Sequence, residues 1–456
     1  MDDAWLGIAE AARLFRSRER SPLELTQCLL ARIDRLDARC NAFLHVARES
    51  ALAEAKAAGA ELAAGRDRGP LHGIPYAVKD IIDVAGLRTT CHSKILRDNI
   101  ASADAPVIAQ LREAGAVLLG KLALHEFATG GPTTELPWPP ARNPWNLELH
   151  PGGSSSGSGT ALAAGLVPAA LGTDTGGSVR NPATVCGGVG MKPTHGLVSC
   201  EGVFPLAPSL DVVGPMTRSV EDNALLLEAM TGRPRAYASG LRAGLEGLRL
   251  GLLEHFHTED DSAHPEQVAA LARACETLRE LGARVEPVHL PPLAEWRACG
   301  LTLQRFEQYE IHREWLKTRP QDYAEVTRSK LLPGASISAQ QAQDAHAKRR
   351  ALREALAQAL KDHAALIALS GFEMPRRFED PPAEILKAYM KNARMPFNVS
   401  GTPALAVPTG FSSDGLPLGM QIAGKAHDEA LLYRIAWAYE QATGWTRLHP
   451  AAFASG

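Results

Sequence analysis

Gly152-Gly153-Ser154-Ser155-Ser156-Gly157-Ser158-Gly159 and, a few residues on, Gly172-Thr173-Asp174-Thr175-Gly176-Gly177-Ser178 are the two runs on which the reading of this chain turns. Eleven of the 39 positions from 152 to 190 are glycine, against 40 of 456 overall. Such density within a foldable segment means unusual backbone angles or close approach of the backbone to something else. Three chemistries compete for it. A phosphate cradle of the Walker type needs Gly-Lys-Ser/Thr, and neither run holds a lysine or a G-x-G-x-x-G between a strand and a helix. A nucleophile elbow finds a literal G-x-S-x-G centred on Ser155, the mark of a serine esterase, but Pro144 to Pro151 before it makes a poor strand and no histidine stands out as partner.

The third reading joins both runs to Lys79. The small residues Thr175-Gly176-Gly177 before Ser178 can turn several backbone N–H groups toward one point, as an oxyanion hole requires. Serine is a weak nucleophile at neutral pH and needs a base. A buried, neutral lysine serves when desolvation lowers its pKa. Val78 and Ile81-Ile82 around Lys79 predict that burial, and Ser154 can relay the proton. Asp174 and Arg180 are expected to brace the loop. Lys121 and Lys192 read as structural or surface residues, and His125, His150 and His195 as ordinary loop histidines.

Outward from these runs the chain alternates helix and strand. Ser21-Pro22-Leu23-Glu24 is a capping box with proline at the first helical position. An alanine-rich helix covers about 47–64, and Tyr76 to Val84 reads as a strand. A helix passing into a strand spans 107–119. Residues 258–365 are mostly helical and more charged, a layer within the same unit. Strands return at 403–408 and 418–422, closed by a helix near 427–442. This pattern predicts a layered α/β fold.

In order along the chain, Gly73-Ile74-Pro75, Val78-Lys79-Asp80, Gly120-Lys121, Glu126-Phe127, Asn143-Pro144-Trp145, the stretch from Pro151 to Pro193, Ser209-Leu210-Asp211, Gly214-Pro215-Met216 and Gly401-Thr402-Pro403 resemble the amidase signature family. The resemblance covers nearly the whole chain, with its core signature at about 151–193. It implies one α/β domain over 1–456, a large mixed twisted sheet flanked by helices on both faces. It also implies a Ser-cisSer-Lys triad: Ser178 as nucleophile, Ser154 on a cis peptide bond, and Lys79 as base. Thr175, Gly176 and Gly177, with Ser178, would supply the oxyanion hole. Ser155 would be a supporting hydrogen-bond residue, and Ala128, Thr129 and Gly130 would sit at the acyl pocket. The implied reaction is hydrolysis of a small linear amide, with carbamates or esters as side substrates and no metal or organic cofactor.

With 48 Lys+Arg against 51 Asp+Glu the net charge is -3, which gives no electrostatic case for nucleic acid or an anionic membrane. No apolar stretch is long enough to span a bilayer, and the acidic start Met1-Asp2-Asp3 lacks the pattern of a secretory leader. Seven scattered cysteines without C-x-x-C argue against a disulfide framework or a zinc cage, so a cytoplasmic enzyme is expected, as a homodimer on family and symmetry grounds. The match thins at 362–375, a region that in the family shapes the substrate pocket. It also thins at Tyr389-Met390-Lys391-Asn392, where glutamine-using members carry Asp in place of Asn392. A stand-alone amidase is therefore the first reading. The A subunit of a tRNA-dependent amidotransferase, releasing ammonia from glutamine, is the alternative.

Overall fold

The computed structural model describes residues 3–454. Among them, eleven strands form one mixed sheet: β1 (Phe43–Val46), β2 (Pro75–Lys79), β3 (Val117–Leu122), β4 (Ala169–Asp174), β5 (Val189–Lys192), β6 (Val212–Thr217), β7 (Arg249–Leu252), β8 (Arg284–Pro287), β9 (Ala365–Leu369), β10 (Ala404–Phe411) and β11 (Pro417–Ala423). Their order across the sheet is β1-β3-β2-β4-β6-β5-β10-β11-β9-β7-β8. β2 runs parallel to both β3 and β4, and β7 runs parallel to β8 and β9. The remaining pairs are antiparallel.

Every residue of β2, β3, β4, β6, β9 and β11 is buried, whereas the edge strands β1 and β8 are partly exposed. Central strands covered on both faces need no polar alternation, so runs such as Ala169-Ala170-Leu171 suit them. The covering helices include Ser156–Ala163 against β4, Arg180–Cys186 against β10 and Val220–Thr231 against β6. The Ser21 box forms as expected, with the Ser21 side chain accepting from the Glu24 amide and the Glu24 carboxylate from the Ser21 amide.

One expectation is corrected. The strand placed at 76–84 stops at Lys79. The Ile81 amide turns back onto the Lys79 carbonyl, and the Asp80 carboxylate binds the Thr90 amide and pairs with Lys121 at 2.9 Å, so the apolar Ile81-Ile82 are buried in a turn. The segment 258–365 is mostly helical and also holds β8, which forms the far edge of the sheet. Lys121 and Lys192 are both about 1 % exposed or less, which removes the surface reading for them.

Candidate active site

Parallel pairing places the site. Val78 stands opposite Leu171, so the last residue of β2, Lys79, lies beside the end of β4, where Thr173 and Asp174 lead into the second glycine run. Lys79 is fully buried, and its Nζ is 2.8 Å from Ser154 Oγ and 2.7 Å from Thr173 Oγ1. Burial pulls its pKa down to about 7, a fall that the Asp211 and Asp174 carboxylates partly offset. Near neutrality much of Lys79 is therefore uncharged. In that form it can accept the Ser154 proton while Thr173 receives one of its own N–H groups.

The first glycine run is held from several sides. The Gly153–Ser154 peptide bond is cis. The Gly153 amide donates to Asn181 Oδ1, the His125 amide to the Ser154 carbonyl, and the Ser155 amide to the Ser178 carbonyl. The last of these ties the two runs together. Ser155 is fully buried and its Oγ is bonded to both the amide and the carbonyl of Thr173, which leaves it no part in an exposed elbow. Ser178, by contrast, lines a cavity of about 280 Å³ together with Thr175, Gly176, Ala128, Thr129 and Gly130. Ala128, Thr129 and Gly130, the positions the resemblance puts at an acyl pocket, line the same cavity as Ser178.

Asp174 and Arg180 are both fully buried and paired at 3.0 Å. Burial alone would raise the Asp174 carboxyl. The Arg180 guanidinium and the Asn398 amide overturn that and hold it well below the usual range. Asp174 also accepts from the Gly177 amide at 2.8 Å and from the Val179 amide, which curls the loop around it. This corrects one expectation: the Gly177 N–H is taken up by Asp174, which leaves the amides of Thr175, Gly176 and Ser178, all residues that line the cavity, as the candidate oxyanion donors. What Gly177 contributes is its backbone, at φ +115, a region that side-chain-bearing residues avoid. Thr175 is anchored through its hydroxyl to Asp211, which the Leu206 and Ala207 amides grip in turn.

Three residues of the site escape a reading of the sequence. Thr173, the second partner of Lys79, sits in the second run with nothing local to mark its role. Tyr389 donates its hydroxyl to the Gly153 carbonyl at 2.6 Å and lines the same cavity as Ser178. Its only signal is its place in Tyr389-Met390-Lys391-Asn392. His125 is more than an ordinary loop residue. Its ring lines the cavity and covers Gly153 so closely that a Cβ there would come within 2.2 Å. Burial and the nearby Lys330 hold its imidazole well below its ordinary pKa, so it is neutral. His195 lies apart, on a separate cavity with Arg349 and Lys425.

A serine lining a cavity, a run of small residues before it and a buried lysine–serine pair on the adjoining run are the groups that acyl-enzyme chemistry without a histidine base would use. Comparison with known proteins agrees with the fold. A family model for amidases matches residues 24–433, and the chain belongs to the amidase family, enzymes acting on C–N bonds. The glutamyl-tRNA(Gln) amidotransferase A subunit of Geobacter metallireducens is 39% identical, with 96% of this chain and 98% of that protein covered. A solved amidase superposes with a TM-score of 0.87 at 34% identity, covering 96% of this chain and 100% of its own. A chain of a vestigial protein complex, described as revealing the origins of an s-triazine catabolic enzyme, gives a TM-score of 0.89 at 33% identity, with 96% and 99% covered. Among the described residues no helix is long and apolar enough to cross a membrane.

Proposed function

We propose that the chain is an amidohydrolase that cleaves a small linear amide through an acyl-enzyme on Ser178. The observation that carries this reading is the buried Lys79 amine within hydrogen-bond distance of Ser154. Neutral Lys79 takes the Ser154 proton as Ser154 takes that of Ser178, and Ser178 Oγ bonds to the amide carbon. The negative oxygen is met by the amides of Gly176 and Ser178, with Thr175 alongside. Losing one such donor costs about 10²–10³ in rate. The C–N bond breaks as Ser154 returns a proton to the departing nitrogen. Water, deprotonated through the same relay, then attacks the ester and frees the acid. Tyr389 keeps the carbonyl of Gly153 occupied and so holds the run that carries Ser154. Tyr389→Phe should lower kcat about tenfold and cost roughly 1–2 kcal/mol by leaving that carbonyl unpaired. Steady-state kinetics beside chemical denaturation measure both, and unchanged kcat would remove Tyr389 from the mechanism.

Two settings fit this chemistry. The identity to the Geobacter protein over nearly the whole of both chains favours an amidotransferase A subunit, and by relatedness that setting is the better supported. A stand-alone amidase is supported by the solved amidase and by the cavity. Asn392 stands at its rim with its amide donated to the Tyr389 and Met390 carbonyls, where glutamine-using relatives of the signature would present a carboxylate. Seven cysteines with no disulfide among them suit a reducing compartment. Ammonia release from glutamine and from a panel of simple amides separates the two. A stand-alone enzyme turns over simple amides unaided and glutamine poorly. Efficient glutaminase activity appearing only with a co-purified partner chain establishes the amidotransferase setting.

A further inference from the structure

Resting on the acyl-enzyme reading, we propose that the amide this site hydrolyses bears a carboxylate or comparable anionic group, with no ammonium, at the end remote from the scissile bond. The ionisable residues lining the cavity beside Ser178 are His125, Tyr389, Arg297, Arg305 and Lys330, and among the described residues no Asp or Glu lines it. His125 is neutral, and burial raises the Tyr389 pKa, so it too is uncharged. The fixed charge of the cavity is therefore wholly positive.

Much of that charge is uncompensated. Lys330 donates one N–H to the Gly130 carbonyl at 2.9 Å and has no carboxylate within ion-pair distance among the described residues. Burial lowers its pKa to about 8, with no carboxylate offsetting the fall, so an arriving anion would restore what desolvation takes away. Its position is built: Thr129 donates to Gln308 Oε1, and the Gln308 amide donates to the Lys330 carbonyl. This series of bonds fixes Lys330 relative to the acyl pocket. Arg305 is exposed and has no ion pair among the described residues. Arg297 is half-neutralised by Asp261 at 3.1 Å, and its Nε is buried without a partner. An anion entering this cavity gains charge-assisted hydrogen bonds, whereas an ammonium meets like charge and, among the described residues, no lining carboxylate. Asn392 offers it no carboxylate, and the amide of Asn392 is already used on its own turn.

Matched amides test this. Succinamate and N-acetyl-β-alanine carry the anion on the acyl and amine side respectively, butyramide is neutral, and 4-aminobutanamide is cationic. One anionic member should exceed butyramide in kcat/KM by about 100-fold or more, mainly through KM, with the cationic amide poorest. In Lys330→Met that advantage should shrink about 10- to 100-fold. Titration calorimetry of succinate with the wild-type and Lys330→Met chains reads the same site without turnover, and binding should be lost in the variant. Preference for butyramide or 4-aminobutanamide, or succinate binding unaltered by Lys330→Met, overturns the proposal. Should neutral amides be hydrolysed through Ser178 with no anionic preference, the acyl-enzyme reading survives and the anionic one fails. Should succinate bind through Lys330 while Ser178→Ala retains amide turnover, the reverse holds.

Discussion

Lys79→Ala lowers kcat by at least ~10³-fold while the chain stays folded, because the variant removes the amine behind Ser154 that takes its proton. The truncation leaves Ser154 Oγ and Thr173 Oγ1 short of a partner, which costs about 1–3 kcal/mol, within the reach of a large domain. Lys79→Met fills the space and separates lost chemistry from lost packing. The pH dependence carries the same signature. The neutral amine is the active form, so wild-type kcat/KM should fall about tenfold per unit of pH below the Lys79 pKa of about 7 and level off above it. The residual rate of Lys79→Met should lack that acid limb. Near-normal kcat in both variants, with unchanged unfolding midpoints, would contradict the assignment.

Arg180→Met destabilises the protein by roughly 3–5 kcal/mol, since it strands the fully buried Asp174 carboxylate and removes the donors to Gln421 Oε1 and Asn398 Oδ1. Asp174→Asn should cost a comparable amount by stranding Arg180. The double variant Asp174→Asn/Arg180→Met should cost clearly less than the sum, because each single change creates an unpaired charge that the second removes. Denaturant midpoints of the four proteins measure this coupling. Activity should fall in all three variants, because each breaks the ion pair that braces the loop carrying Ser178, and the two that change Asp174 also take the charge from the acceptor of the Gly177 amide. Singles that cost less than about 1 kcal/mol would mean that the pair contributes little to the site.

What the sequence makes legible follows the range of the interactions. The capping box at Ser21, the burial of Lys79 among Val78 and Ile81-Ile82, and the bracing role of Asp174 and Arg180 all depend on residues close in the chain. Thr173 meets Lys79 across 94 positions and Tyr389 meets Gly153 across 236, through strand register and loop packing that no local pattern encodes. The strand at Tyr76 reads too long for a related reason. A run of apolar residues fits a buried strand and a buried turn equally well, and what ends β2 is Asp80 reaching Thr90 and Lys121. The run of small residues and the family resemblance place Gly177 in the oxyanion hole. The direction of its amide is decided by Asp174, three residues back, which does more than brace the loop. The cationic lining of the cavity is least legible, since Arg297, Arg305 and Lys330 lie in the charged helical layer and come to line one cavity with Ser178 only in the folded chain.

Peptide mass mapping after a phosphonylating serine-hydrolase reagent tests the account at its centre. The two-run site predicts one adduct, on Ser178, absent in Ser178→Ala and formed much more slowly in Lys79→Met. An adduct on Ser155, or labelling of Ser178 at the same rate without the Lys79 amine, would contradict it.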